Sequence, residues 1–311
     1  MRAVQINRYG GIEEMEINKN APAPSISNTQ VLVEVHCASL NPVDFKIRRG
    51  DLRQFKEVHF PMTMGGDFAG IVVSSGSEVT GVKAGDMVYG SALVTNGGSG
   101  ALAEFAACNR ENIYIKPQIS CYEAAALPLT GCSAIQALFD QIQLKASQKI
   151  LIHGGAGGIG SVAIQIAKTI GAFVAATASE KSSGFVKELG ADLVIDYKKE
   201  RFEELLKEYD AVLDNVGGDT YRKSFEVLRK GGVINSMLER PDKALEEKYK
   251  VKALHQFTVV NAKRLSLLSE YVESGKIKIN VGKKFTLDKT KEAFEYFETG
   301  HSSGKIVLKI Q

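Results

Sequence analysis

The feature that most constrains the fold of this chain is a glycine-rich turn near its centre. A predicted strand at residues 149–153 leads into Gly155-Ala156-Gly157-Gly158-Ile159-Gly160, and a predicted helix at 161–170 follows. In such a turn Gly155 permits the sharp bend, Gly157 lets the backbone approach a pyrophosphate, and Gly160 lets the helix pack closely on the strand. The turn therefore predicts a dinucleotide site in which the amides that open the helix hold the phosphates. Glycines at these positions are also compatible with close packing alone.

The chain continues past this turn as an alternation of strands and helices. Strands are predicted at 149–153, 173–177, 193–196, 211–214, 233–236 and 257–260, with helices between them at 161–170, 183–189, 202–207 and 221–228. This alternation indicates a parallel, doubly wound sheet with helices on both faces, which binds ligands at the carboxyl ends of its strands. Asn215, Val216 and Gly217 follow the fourth strand and are therefore candidate cofactor contacts, although the glycines at 217 and 218 also suit a plain turn.

The first 120 residues have a different sequence pattern, in which glycines separate short strand-like runs. This pattern indicates a mostly antiparallel, barrel-like domain. A predicted helix at 262–274 and a final strand at 305–310 return to that domain. A chain of 311 residues is long enough for two cores. The predicted domains are 1–122 with 261–311, which is discontinuous, and a cofactor-binding domain at 123–260.

Composition excludes several classes of function. Lys and Arg number 39 against 36 Asp and Glu, so there is no broad positive field for nucleic acid. No run approaches the ~20 apolar residues of a membrane span, and residues 1–6 alternate like a strand rather than a signal peptide. Cys37, Cys108, Cys121 and Cys132 form no closely spaced pair, which indicates reduced thiols. We therefore expect a cytoplasmic protein without nucleic-acid or membrane partners.

The end of the second strand indicates which nicotinamide cofactor is bound. A carboxylate there bonds the ribose 2′-hydroxyl of NAD and repels a 2′-phosphate, but this chain has Ala178-Ser179 at that place. Ser179, Lys181 and Ser182 offer hydroxyls and an ammonium to a phosphate. The prediction is NADPH. The alternative is that Lys181 and Ser182 only begin a solvated helix.

Further motifs accompany the glycine turn over the whole length of the chain. They are Ser39-Leu40-Asn41-Pro42-Val43-Asp44, Gly65-Gly66-Asp67-Phe68-Ala69-Gly70, Gly85-Asp86-Met87-Val88-Tyr89-Gly90, Asp214-Asn215-Val216-Gly217-Gly218 and Gly300-His301-Ser302-Ser303-Gly304-Lys305. Together they resemble the medium-chain dehydrogenase/reductase superfamily and its zinc-independent quinone oxidoreductase branch. Residues 185–192 with 195–197 resemble the alkenal and enone reductases of that branch. The resemblance implies a doubly wound parallel Rossmann sheet plus a mostly β GroES-like barrel domain.

The resemblance also implies a site without metal. Zinc-dependent relatives take their ligands from a Cys in the first motif, a His in the second and a further Cys, and these positions align with Asn41, Gly66 and Leu129. Zinc needs thiolate, imidazole or carboxylate ligands. Without Lewis-acid polarisation of an alcohol oxygen, conjugated acceptors are the easier substrates. The predicted function is reduction of quinones or α,β-unsaturated carbonyls by hydride from NADPH.

The resemblance gives several residues a catalytic or cofactor-binding role, and each of them also has a purely structural interpretation. Asn41 and Lys46 are candidate catalytic hydrogen-bond donors, and Lys46 is equally a candidate cofactor ligand; alternatively Asn41 only forms a turn and Lys46 is solvated. Ile159 is expected on the back face of the nicotinamide ring. Thr130, Ser133 and Tyr197 complete the candidate cofactor contacts, although a tyrosine at a strand end is also common for packing.

Two other functions are compatible with parts of the sequence. An alcohol dehydrogenase is disfavoured by the missing zinc ligands. A cofactor-binding protein with a structural or regulatory role is compatible with the same fold, because fold does not guarantee activity. Relatives are often homodimers, which gives the expected assembly. His153 ends a buried strand and is expected to be a satisfied core residue.

Overall fold

The structure is a computed structural model of the 311-residue chain, and it describes residues 1–300 and 304–311. His301, Ser302 and Ser303 of the last motif lie outside the described residues. The strands, in chain order, are β1 (Ala3–Ile6), β2 (Glu16–Asn18), β3 (Gln30–Ser39), β4 (Met62–Thr63), β5 (Asp67–Ser75), β6 (Met87–Ser91), β7 (Phe105–Asn109), β8 (Ile113–Ile115), β9 (Lys149–Ile152), β10 (Phe173–Ala178), β11 (Leu193–Asp196), β12 (Tyr209–Asp214), β13 (Leu228–Ser236), β14 (Lys252–His255), β15 (Val281–Thr286) and β16 (Lys305–Lys309).

The helices alternate with these strands most regularly in the middle of the chain. They are α1 (Pro42–Arg49), α2 (Cys121–Ala126), α3 (Pro128–Ile135), α4 (Gly158–Ile170), α5 (Glu180–Glu188), α6 (Phe202–Leu205), α7 (Gly218–Ser224), α8 (Lys243–Tyr249), α9 (Ala262–Glu273) and α10 (Thr290–Glu298). A π-helical segment (Gln136–Gln141) and short 3-10 turns complete the regular structure. None of the helices described in this structure combines the length and apolar character that crossing a membrane requires.

The described residues divide into two compact units. Unit 1 comprises Met1–Leu129, Val260–Glu273 and Ile279–Gln311, and unit 2 comprises Thr130–Val259 and Ser274–Lys278. The first division therefore falls at Leu129 rather than after residue 122, because α2 packs on β3 and β5 of unit 1. The roles assigned to the two predicted domains, catalytic and cofactor-binding, stay predictions.

Unit 1 is mostly antiparallel. Its larger sheet has the order β15-β16-β3-β5-β6-β8, with β7 paired to β3, and its smaller sheet has the order β2-β1-β4. The pair β15 and β16 is parallel, whereas the other pairs are antiparallel. Fully buried side chains such as Val33, Phe68 and Leu308 form its core. Strand β3 lies between β16 and β5, and both of these strands pair with its last residues, up to Ser39.

Unit 2 is a doubly wound parallel sheet. Its order is β11-β10-β9-β12-β13-β14, and every pair is parallel. The predicted closing strand at 257–260 is wrong, because the sixth strand is β14 and the apolar residues Phe257 and Val259 are 64% and 50% exposed beyond its carboxyl end. A short apolar run alone does not distinguish a buried strand from a loop that carries apolar side chains.

Candidate cofactor and active site

The glycine turn of unit 2 joins β9 to α4. Gly157 is the residue before the first turn of α4, and the left-handed backbone (φ 67°) lies at Gly154. Gly155 has no left-handed backbone, but a Cβ there would lie 3.0 Å from the Cβ of Ala176, so its role in the turn stays a prediction. A Cβ on Gly160 would lie 2.2 Å from the carbonyl oxygen of Gly154. The helix can approach the turn this closely only because residue 160 has no side chain.

This packing leads to a prediction for Gly160→Ala. The added Cβ meets backbone rather than a flexible side chain, so α4 must move away from the turn, and overpacking of this kind costs about 1–3 kcal/mol. We expect weaker NADPH binding and a lower melting temperature, measured by nucleotide fluorescence titration and thermal unfolding.

Gly184→Ala is the matched control. A Cβ at Gly184, inside α5, meets nothing within 4 Å. Replacing a glycine by alanine at such a helical site stabilises by up to about 1 kcal/mol. Equal effects of the two substitutions on NADPH affinity would contradict the role of close packing at Gly160.

The carboxyl edge of the unit 2 sheet has an apolar rim. Each of the strands β11 to β14 is followed within two residues by an exposed apolar side chain: Tyr197, Val216, Leu238 and Phe257 are 58%, 50%, 44% and 64% exposed. Aliphatic and aromatic side chains exposed together at a sheet edge are typical of a ligand site. The first two of these residues are among the sequence-predicted cofactor contacts, whereas Leu238 and Phe257 were missed.

The segment after β12 has a buried acceptor without a partner in the described part of the chain. Asn215 donates from Nδ2 to the carbonyl oxygen of His153 (2.8 Å), while its Oδ1 is buried and has no hydrogen-bond partner among residues 1–300 and 304–311. Asp214 fixes the loop, because its Oδ1 accepts from the amides of Val216 (3.0 Å) and Gly217 (2.9 Å). Buried polar atoms normally have a hydrogen-bond partner. An orphaned acceptor beside the glycine turn therefore indicates a site for a ligand that carries a hydrogen-bond donor.

The residues predicted to contact a 2′-phosphate surround the start of α5. Ser179 immediately precedes the helix and donates from its hydroxyl to that of Ser182 (3.3 Å), and Lys181 is exposed in the first turn. Lys199 forms an ion pair with Glu180 at 2.7 Å. Because Glu180 is engaged by Lys199, it does not neutralise the ammonium of Lys181. Ser179, Lys181 and Ser182 thus lie together at the start of α5. This placement agrees both with a 2′-phosphate site and with the plain start of a solvated helix.

The predicted contacts before the first strand of unit 2 are buried. Thr130 is 6% exposed and Ser133 is 1% exposed. The Ser133 hydroxyl lies 2.7 Å from that of Thr258, and its carbonyl oxygen accepts from the Gln256 side chain (3.0 Å). Ser133 therefore holds the segment that follows β14, and its role toward a cofactor stays a prediction.

In unit 1, Asn41 lies in a buried network of charged groups. Its Nδ2 donates to Asp67 Oδ2 (2.8 Å), and its Oδ1 accepts from Lys305 Nζ (2.5 Å). Because a lysine only donates and a carboxylate only accepts, these two partners fix the orientation of the carboxamide. Lys305 Nζ also donates to the carbonyl oxygen of Leu40 (2.7 Å), and Asp67 Oδ2 accepts from the amide of Leu129 (3.0 Å).

Burial governs the electrostatics of this network. It raises the pKa of Asp67 to about 6, against the opposing effect of the Lys305 charge, and it lowers the pKa of Lys305. Asp44 braces Asn41 as expected, with Oδ2 accepting from the Asn41 amide (2.7 Å), and burial raises the pKa of Asp44 to about 7. Lys46 is half-buried in α1. Sequence reasoning missed Asp67 and Lys305 as members of the site.

These residues do not fit a zinc ion. At the three positions that the resemblance aligns with the ligands of zinc-dependent relatives, Asn41 has its carboxamide engaged by Asp67 and Lys305, Gly66 has no side chain, and Leu129 is aliphatic. Zinc is held by thiolate, imidazole or carboxylate. Across residues 1–300 and 304–311 no cluster of three or more His, Cys, Asp or Glu is arranged to bind a metal.

His153 is a satisfied core residue, as predicted. Its ring nitrogens lie 3.1 Å from the Thr177 hydroxyl and 2.9 Å from the Ser224 hydroxyl, and the side chain is fully buried. Burial lowers the pKa of His153 to about 4. The imidazole therefore stays neutral at the pH where the unfolded chain would begin to protonate.

The lowered pKa of His153 predicts a pH dependence of stability. Its contribution is fully present above the unfolded pKa of about 6.5 and is lost as pH falls toward the folded value, which amounts to at most about 3 kcal/mol. Urea unfolding of the wild type and of His153→Gln, from about pH 7 to about pH 4.5, measures it. The wild type should lose stability more steeply than the variant; parallel curves would contradict a neutral buried imidazole.

The two units together define a pyridine-nucleotide-dependent dehydrogenase or reductase fold. The family description "Alcohol dehydrogenase GroES-like domain" matches residues 27–118, and "Zinc-binding dehydrogenase" matches residues 189–308. A 2-methylene-furan-3-one reductase of Solanum lycopersicum is 38% identical, and an NADPH-dependent alkenal/one oxidoreductase of Arabidopsis thaliana is 37% identical; each match covers 99% of this chain and 79% of the relative. The quinone oxidoreductase from Coxiella burnetii has a similar structure, with a TM-score of 0.92 and 34% identity over 100% of this chain and 99% of that one.

The chain therefore belongs to the medium-chain dehydrogenase/reductase superfamily, in the group of the quinone and alkenal oxidoreductases. This confirms the sequence-based resemblance and the predicted fold class of a Rossmann sheet with a GroES-like domain. The second family description contains the word zinc, but this chain has Asn41, Gly66 and Leu129 at the positions that the resemblance aligns with zinc ligands.

Proposed function

We propose that this protein is an NADPH-dependent reductase of quinones or α,β-unsaturated carbonyls that works without zinc. The observation that carries the proposal is the buried network in which Asp67 and Lys305 hold the carboxamide of Asn41. Asn41 is at a position that the resemblance aligns with a ligand of zinc-dependent relatives. The relatives that reduce alkenals, furanones and quinones support the acceptor class. Oxidation of NADPH by a panel of such acceptors, in the presence of EDTA, tests it.

The carboxyl edge of unit 2 fits NADPH. The amides that open α4 would hold the pyrophosphate, and the orphaned Oδ1 of Asn215 would accept from the cofactor. Ile159, Val216, Gly217 and Tyr197 offer apolar or backbone contact, and Thr130, Ser133 and Lys46 are further candidates. When bound, NADPH supplies the hydride that the reduction needs.

The task of the protein's own groups is to stabilise charge on the acceptor. Hydride addition to a conjugated carbonyl or quinone leaves negative charge on oxygen, and a fixed donor aimed at that oxygen lowers the barrier. Nδ2 of Asn41 has two hydrogens and gives one of them to Asp67. We propose that the second is the donor to the acceptor oxygen, with the Lys46 ammonium as an additional donor.

The contribution of Lys181 to cofactor choice gives a separate prediction. Lys181→Ala should raise KM for NADPH by about tenfold, the value of one charge-assisted contact, and leave KM for NADH nearly unchanged. Lys187→Ala, which removes another exposed lysine of α5, is the matched control. Equal changes for the two nucleotides would contradict the assignment.

The assembly and the location of the protein are also proposals. We propose a homodimer, which light scattering on the purified protein tests. We propose a cytoplasmic location, which fluorescence microscopy of a tagged chain tests.

A further inference from the structure

Two cysteines of unit 1 share one outer face of its larger sheet. Val33, Val35 and Ala38 of β3 belong to the unit's core, but an irregularity in pairing between Val35 and Cys37 shifts the alternation, so that Cys37 lies on the opposite face from Ala38. Helix α2 packs on β3 and β5 and begins with Cys121. The bulge therefore turns Cys37 away from the core and toward the elements that carry Cys121.

The register of the sheet places the two thiols side by side. Cys37 is paired across the strands with Ala69, and the Sγ of Cys121 donates to the carbonyl oxygen of Ala69 (3.7 Å). Ala69 is therefore a direct neighbour of both cysteines, of Cys37 through the strand pairing and of Cys121 through its thiol. Cys37 is 3% exposed, whereas Cys121 is partly exposed. The sulfur of Cys121 is therefore open to a small reagent, and the buried Cys37 lies next to it in the fold, beside the same Ala69.

The surroundings favour thiolate at the exposed member of the pair. The neighbouring Cys37 thiol holds the pKa of Cys121 below its usual value, with the Lys116 charge acting in the same direction. The Cys121 thiol and burial raise the pKa of Cys37, and the charges of Lys309 and Lys284 oppose this rise. A low-pKa, accessible thiolate with a second thiol in contact is the arrangement found in oxidation-sensitive cysteine pairs.

We propose that Cys37 and Cys121 form an oxidation site that a hydroperoxide converts to a disulfide. The Cys121 thiolate attacks the peroxide, the O–O bond breaks, and Cys121 sulfenic acid forms while the leaving oxygen takes a proton to become water or an alcohol. Cys37 then attacks the sulfenic sulfur, the S–S bond forms and water leaves. The two thiols lose two electrons and two protons, and the peroxide gains them. This site is independent of the proposed reductase activity.

The site is tested on the full-length protein with hydrogen peroxide at neutral pH. Remaining thiols are then alkylated with iodoacetamide under unfolding conditions, and peptides are mapped by mass spectrometry. We expect a cross-linked pair of peptides containing Cys37 and Cys121 that has lost two hydrogen atoms and is restored by dithiothreitol. Cys108, which is fully buried with its pKa raised to about 12 by that burial, is the internal control; it should escape peroxide and be fully alkylated in the unfolded protein.

The variants Cys37→Ala and Cys121→Ala separate this proposal from simple thiol exposure. In Cys37→Ala the pH midpoint for alkylation of Cys121 should rise, and its rate at neutral pH should fall by roughly tenfold for each unit of that rise. Cys121→Ala should leave Cys37 unreactive toward peroxide. The proposal is overturned if wild-type Cys121 is oxidised to sulfinic acid while Cys37 is still alkylated, or if neither reacts before unfolding.

Discussion

Replacing Lys305 with methionine is expected to lower the free energy of unfolding by about 3–5 kcal/mol, the cost of leaving a buried charge without its partner. In the wild type Lys305 offsets the charge of Asp67, and it donates to the Asn41 side chain and to the Leu40 carbonyl oxygen. Methionine has a similar volume but no donor, so the carboxylate of Asp67 and two acceptors lose their partner. Urea unfolding at about pH 8, where the wild-type Asp67 is ionised, gives the measurement.

Lys309→Met is the matched control for this substitution, because Lys309 is in the same strand but exposed. A surface lysine should cost less than about 0.5 kcal/mol. The double variant Lys305→Met/Asp67→Asn removes both charges and keeps an acceptor for Asn41 and for the Leu129 amide, so we expect it to recover most of the lost stability. A loss in Lys305→Met no greater than in Lys309→Met would contradict the buried network.

The loss of stability caused by Lys305→Met should also depend on pH. Asp67 already has a raised pKa in the folded protein, and without the Lys305 charge its pKa rises further. A raised carboxyl pKa destabilises the folded state above that pKa and ceases to do so below the unfolded value. The difference in stability between the wild type and Lys305→Met should therefore shrink as pH falls toward about 4.

Asn41→Ala is expected to lower kcat for quinone or enone reduction by about 10²–10³, the usual value of one preorganised donor to a developing oxyanion. The change removes the proposed donor to the acceptor and also the acceptor of the Lys305 ammonium. Stopped-flow measurement of NADPH oxidation at saturating cofactor and acceptor gives kcat, and KM for NADPH should change little.

A double-mutant cycle distinguishes a donor from a merely structural asparagine. If Lys305 acts on the reaction only by holding Asn41, the effects of Lys305→Met and Asn41→Ala on kcat should not add when the two are combined. The cycle is measured on the folded fraction, checked by circular dichroism at the assay temperature. A variant Asn41→Ala that is less stable but has wild-type kcat would show that Asn41 has only a structural role.

The parallel sheet of unit 2 was largely predictable from the sequence, because its strands are short apolar runs separated by helices and opened by the glycine turn. The exception is β14, whose residues Lys252–His255 include a charged and a polar side chain and so do not form an apolar run. The more apolar residues at 257–260 instead follow the strand at the ligand edge. Hydrophobic pattern therefore identified the right sheet but placed its last strand five residues too late.

The buried network of unit 1 was not predictable in the same way. Lys305 contacts Asn41 across 264 positions of sequence, and no local pattern records that pairing. A signal was present in retrospect, because Lys305 opens an apolar strand and Asp67 stands between glycines and apolar residues where a charge is costly. The orphaned Oδ1 of Asn215 likewise appears only when hydrogen bonds are assigned atom by atom.

The proposed reductase delivers hydride from NADPH to conjugated acceptors without a metal. The most direct test is the rate of NADPH oxidation, followed by absorbance, with quinones, enones and simple alcohols or aldehydes after dialysis against EDTA. We expect turnover with at least one quinone or enone, at a rate unchanged by EDTA or by added zinc. No oxidation of NADPH across the panel, or activity that EDTA abolishes and zinc restores, would contradict it.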